Sequence, residues 1–137
     1  MGNDGSNVES KEFVVSHNDL KVYRSAFDAA MVVFETSKTF PKEEIYSLTS
    51  QMRRSSRSVA ANLVEAWRKR RYERAFVSKL SDAEAEAAET QVHIEFAVRC
   101  GSLTREDGAE LYKRYEQIVQ SIVGMIHHAD KWLLKHK

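Results

Sequence analysis

Ile45-Tyr46-Ser47-Leu48-Thr49-Ser50-Gln51-Met52-Arg53-Arg54-Ser55-Ser56-Arg57-Ser58-Val59-Ala60-Ala61-Asn62-Leu63-Val64-Glu65-Ala66-Trp67 decides the fold. Its apolar and small residues recur at 45, 48, 52, 55, 59, 63 and 66, a three–four step. That is the period of one face of an α-helix, and the positions between are mostly polar. The helix starts between Pro41 and Ser47 and runs to about Trp67. Upstream, Phe40-Pro41 closes a preceding helix, because the residue before proline is pushed out of the α region. In that earlier helix Leu20, Tyr23, Phe27, Ala30 and Phe34 take the same step, with Asn18 or Asp19 as N-cap.

Downstream, Phe76, Leu80, Ala83, Ala87, Thr90, Ile94 and Ala97 form a third stripe. Gly101 supplies a left-handed C-cap, and Leu103 is placed to fold back on the last turn. Thr104-Arg105-Glu106-Asp107 reads as a capping box opening a fourth helix, with Leu111, Tyr115, Ile118, Ile122, Met125, Ala129 and Trp132 on its core face. Short connections make neighbouring helices antiparallel. The expected fold class is therefore all-α, an antiparallel up-down-up-down four-helix bundle over residues 18–137, preceded by a flexible segment at 1–17.

Composition agrees. The 137 residues include one proline and five glycines, too few breakers for a hairpin-rich fold. At 42% apolar and 30% charged the chain is globular, and one core is within reach of this length. Its apolar runs are a few residues long, far short of the roughly 20 that span a bilayer, so no membrane partner is expected. The polar start shows no secretory signal, and the single Cys100 fits a reducing cytoplasm. Met1-Gly2-Asn3-Asp4-Gly5-Ser6 formally matches an acylation pattern too short and degenerate to carry weight.

Two further stripes lie beside the core faces: Tyr112, Val119, Ile126 and Leu133 in the fourth helix, and Ala85, Ala88, Val92 and Phe96 in the third. Either the core faces are wide, or these residues meet another subunit. The second reading makes the protein its own partner, a homo-oligomer.

Little in the sequence points to catalysis or to a metal. Di-iron bundles need Glu-x-x-His pairs, and none of the five histidines has a glutamate three residues before it. Glu89 and His93 read as a helix-face pair. His127 and His128 are adjacent and diverge by about 100°. Cys100, at a helix C-terminus, reads as structural. No cofactor, small-molecule substrate or enzymatic activity is expected.

Charge is segregated. Net charge is +1, yet Arg53–Arg74 holds eight basic residues against two acidic, and Asp82–Glu110 holds eight acidic against two basic. The run Arg68-Lys69-Arg70-Arg71, then Arg74, falls at the junction of helices two and three, flanked by Trp67 and Tyr72. Such a cluster can neutralise RNA or DNA phosphates while an aromatic ring stacks on an unpaired base. Arg53 and Arg57, one turn apart, extend the candidate site. In the alternative, these arginines pair with the acidic third and fourth helices, and the protein is a scaffold.

The stretch from Phe40 to Ala66 resembles a bacterial family of four-helix-bundle proteins whose founding members are encoded by intervening sequences inside 23S ribosomal RNA genes. Asn18-Asp19-Leu20-Lys21-Val22-Tyr23 is similar to that family's opening, and Glu89-Thr90-Gln91 to its third helix. The resemblance covers about residues 18–135. It implies a four-helix bundle that forms a homopentamer. It also implies distant kinship with pentameric accessory proteins of diversity-generating retroelements, which look like nucleic-acid binders. The family has no settled biochemical role. Gln51, Arg53, Arg54, Asn62 and Glu65 match the motif's polar positions, for which a buried or interfacial polar network is the expected role. The sequence departs at Ala66, where glycine is usual, and in Trp67-Arg68-Lys69-Arg70-Arg71, so helix two is expected to run on further.

Overall fold

The computed structural model describes residues 16–134. The acylation pattern and most of the segment at 1–17 lie outside them. Four helices make the body: α1 (Lys21–Ser37), α2 (Leu48–Arg68), α3 (Glu73–Arg99) and α4 (Arg105–His127). Single 3-10 turns occupy His17–Asp19, Lys42–Glu44 and Ala129–Lys131. Among the described residues there is no strand, and no helix is long and apolar enough to cross a membrane.

Each helix packs on its two neighbours, most extensively along α2–α3 and most sparsely along α1–α4. Contacts across α2–α3 fix the direction. Ser55 meets Thr90, with 2.7 Å between their hydroxyls, and ten residues on Glu65 meets Lys79 at 3.1 Å. One partner number rises by ten while the other falls by eleven, which only antiparallel helices allow. The bundle therefore has two ends. The start of α1, the α2–α3 turn and the end of α4 share one of them.

The expected core faces of α2, α3 and α4 are buried almost throughout. Ile45 stays exposed and Trp132 is half-buried. In α1 the face is rotated. Val22, Ala26, Ala29, Val33 and Ser37 point inward, while Phe27 is 48% exposed and Tyr23, Ala30 and Phe34 are half-buried. Two adjacent stripes share the three–four step there, and the smaller residues take the core. Neither Asn18 nor Asp19 caps α1. Both belong to the preceding 3-10 turn, where the Ser16 N–H donates to Asp19 Oδ2 at 3.2 Å.

Helix two reaches Arg68, two residues past Ala66, and Lys69–Tyr72 then form a tight turn in which the Tyr72 N–H donates to the Lys69 carbonyl at 3.0 Å. At the other end of α3, Gly101 adopts φ +81°, the left-handed conformation that a β-carbon disfavours. Its N–H donates to Val98 O and the Ser102 N–H to Ala97 O, closing a Schellman cap over which Leu103 is buried. Thr104 Oγ1 then accepts from the Asp107 N–H at 3.1 Å to start α4.

Candidate nucleic-acid interface

The basic run divides into one structural arginine and a set of exposed cations. Trp67, on the last turn of α2, is 5% exposed. The Arg70 guanidinium sits over its ring, and Arg70 Nε donates to the Trp67 carbonyl at 2.8 Å. The Arg70 carbonyl in turn accepts the Leu134 N–H at 3.1 Å, joining the α2–α3 turn to the segment after α4. Burial, then the charge of Arg68, lowers the Arg70 pKa, which still leaves a permanently charged guanidinium. Arg70 thus holds the turn together.

Arg68, Lys69, Arg71 and Arg74 are exposed, and none makes an ion pair among the described residues. Tyr72, between them, is 66% exposed. Side chains of this kind are free to meet phosphates and an unpaired base.

The other candidates are occupied inside the subunit. Arg53 Nε donates to Ser37 Oγ at 2.8 Å, and its guanidinium lies 4.7 Å from the Phe34 ring centroid. Lys38 and Arg57 approach the same ring at 4.9 and 5.9 Å. Phe34 therefore gathers three cations on the α1–α2 seam, a contact the sequence reading missed because it placed Phe34 in the core. Arg54 pairs with Glu86 and Glu89 of α3, and the Gln51 side-chain oxygen accepts from Arg54 Nε at 3.2 Å. The hydrogen bond to Glu89 comes first among the causes that raise the Arg54 pKa, against some desolvation. For Arg54, pairing with the acidic α3 is what the structure shows.

The polar motif is thus partly a network. Gln51, Arg54, Glu86, Glu89 and His93 connect along the α2–α3 surface, with Glu89 Oε2 3.2 Å from His93 Nε2. Asn62 lies apart, donating to the Ser58 carbonyl at 2.9 Å, and Glu65 pairs with Lys79. The network is superficial and not buried.

The second stripes separate as well. Val119, Ile126 and Leu133 are half-buried against the core, and Tyr112 is exposed. On α3, Ala85, Ala88, Val92 and Phe96 are all exposed, Phe96 at 57%. Gln91 reaches from α3 to the Tyr112 carbonyl and to Glu116, which puts Tyr112 on the α3–α4 side, while Val92 and Phe96 are exposed on the outer surface of α3. Across the bundle, the α1–α2 side carries Phe27 and Met31 beside the Phe34 cations.

Helical order, loop positions and an unpaired basic turn define an antiparallel bundle protein with a cationic end. More particularly, the chain belongs to the 23S rRNA-intervening sequence protein family, which it matches over residues 18–124. A similar solved structure is a Bacteroides thetaiotaomicron protein described as having unknown function and belonging to the S23 ribosomal protein family. The two share 24% identity at a TM-score of 0.72, over 81% of this chain and 98% of that one. No curated protein matches the chain.

Proposed function

We propose that this protein is a non-enzymatic, self-associating helical bundle that binds RNA through the α2–α3 turn, in the cytoplasm. The observation that carries the reading is the set Arg68, Lys69, Arg71 and Arg74, four exposed cations with no carboxylate partner among the described residues. Surface arginines with nothing to neutralise them suit a polyanion. Binding through this turn favours charge over sequence, because no base-reading helix or aromatic sheet platform accompanies it.

A second reading, a self-assembling scaffold, is favoured by two opposite faces. The α1–α2 side presents Phe27 and Met31 with the exposed Arg57. The outer surface of α3 presents Val92 and Phe96 with Glu95, and the α3–α4 side adds Tyr112 with Glu116. Such faces suit a heterologous contact, which closes into a ring when the rotation permits. Five copies are the number the family resemblance suggests. A ring would repeat the basic turn and add weak phosphate contacts through multivalency.

The deciding experiment is fluorescence anisotropy on mixed RNA across a salt series. Binding at about 50 mM salt, weakening with a log–log slope of about −0.7 per phosphate neutralised on single strands, supports the RNA reading. Wild-type protein that stays unbound at about 50 mM salt leaves only the scaffold reading.

A further inference from the structure

Between α1 and α4 the packing is sparse, and a groove of about 980 Å³ runs along the seam. Small residues keep it open: Ser25 on α1, and Ser121 and Gly124 on α4. Gly124 lies inside a helix, where glycine costs about 0.5–1 kcal/mol relative to alanine. Yet a β-carbon built there meets nothing within 4 Å. Packing within the subunit therefore gives no reason for this glycine.

The walls are mixed. Ile118, Met125 and Trp132 supply apolar surface, and Arg114 and Lys131 supply exposed cations with no ion pair among the described residues. Lys21 and His128 also border the groove, and Asp28 is its one carboxylate. The groove is continuous with the basic end, because Lys131 and Trp132 precede Leu134, whose N–H is bonded to the Arg70 carbonyl.

We infer that the α1–α4 groove is the second half of the RNA site and receives a single-stranded segment, while the α2–α3 turn holds flanking phosphates. This rests on the RNA reading above. Cations along a groove that also offers apolar surface and the amides of Gln117 and Gln120 match a strand whose phosphates lie outside and whose bases turn inward to stack and hydrogen-bond. The Trp132 ring, half-buried in the wall, offers a stacking face. A groove of about 980 Å³ is the size of a site for a drug-sized molecule, the scale of a few unpaired bases and not of a duplex. The open space above Gly124 is where the bases pass closest to the α4 backbone.

The test is Gly124→Leu, which fills the groove from a position where a β-carbon meets nothing within 4 Å. The probes are an unstructured oligouridylate and a blunt RNA hairpin, each measured by anisotropy, with circular dichroism melting to follow the fold. Gly124→Leu should weaken oligouridylate binding tenfold or more, leave hairpin binding unchanged and melt no lower than wild type. If Leu is not tolerated, Arg114→Gln replaces it, and the oligouridylate salt slope should become shallower by about 0.7. Oligouridylate affinity equal to wild type in the folded groove variant overturns the groove proposal. The turn reading then survives provided Arg71→Ala/Arg74→Ala weakens both probes. A groove variant that changes subunit number and leaves RNA affinity alone also overturns it, with a second copy as the occupant. Wild-type protein that binds neither probe removes both readings.

Discussion

The Arg70 guanidinium lies 3.5 Å from the centroid of the Trp67 ring, on the one arginine of the basic run that is not free to move. Replacing it and replacing its neighbour should therefore differ in kind. Arg70→Ala removes a cation–π contact and a charged hydrogen bond, and should cost roughly 1–2 kcal/mol in urea unfolding at fixed protein concentration. Arg71→Ala should leave the unfolding midpoint within about 0.5 kcal/mol of wild type and flatten the salt dependence of RNA binding.

Two glycines of α4 should respond with opposite signs. A β-carbon at Gly108 of α4 would lie 2.3 Å from Val98 Cγ2 of α3. Gly108→Ala should destabilise by about 1–3 kcal/mol through overpacking. Gly124→Ala meets no atom and should stabilise by about 0.5–1 kcal/mol. Parallel thermal melts of the two variants check both signs.

Tyr115 is fully buried, and its hydroxyl has no hydrogen-bond partner. Burial pushes its pKa far up, against weaker opposing effects of Ser56 and Arg114. The Ser56 hydroxyl donates to the Arg53 carbonyl at 3.0 Å, and no group stands in hydrogen-bonding geometry to the phenol, which is therefore unsatisfied. An unmet buried hydroxyl costs about 1–3 kcal/mol. Tyr115→Phe keeps the shape and should raise stability by about 1 kcal/mol, measurable by urea denaturation. A lower midpoint would mean that the hydroxyl is satisfied in solution.

Acid should weaken the α2–α3 seam. Burial alone would raise the Glu89 carboxyl, but its hydrogen bonds with His93 and Arg54 outweigh that and hold it below its ordinary 4.5. A carboxyl depressed in the folded state contributes stability above its unfolded pKa. That contribution is lost as pH falls through the folded value. Stability should thus decline from about pH 5 downward, and Glu89→Gln should make the decline shallower. Urea midpoints at pH 7, 5 and 3.5 (chosen, roughly, to bracket the carboxylate range) would reveal it.

How far the sequence could be read depends on what sets each feature. The α3 core face was legible because its stripe of seven residues runs the length of the helix, whereas the stripe beside it holds two alanines with only Val92 and Phe96. In α1 the aromatic residues Tyr23, Phe27 and Phe34 imitated a core face next to the smaller one that is buried, and periodicity cannot rank two stripes with the same step. Pairing of Arg54 with Glu86 and Glu89 depends on the stagger between α2 and α3, which no local pattern encodes. That Arg70 differs from Arg68 and Arg71 follows from the position of one indole ring. The groove is a gap between helices, and its only trace in the sequence is small residues at Ser25, Ser121 and Gly124.

The Leu134–Arg70 hydrogen bond bears on how the protein should be handled. Any peptide appended after Leu134 leaves the body next to the α2–α3 turn, and the start of α1 lies at that same end of the bundle. A polyhistidine tag at the C-terminus would begin a few residues from the arginines and attract or shield RNA on its own account. Binding measured on tagged protein would then report the tag as much as the turn. Only tag-free protein, or a tag inserted at the opposite end in the α1–α2 or α3–α4 connection, tests the surface itself.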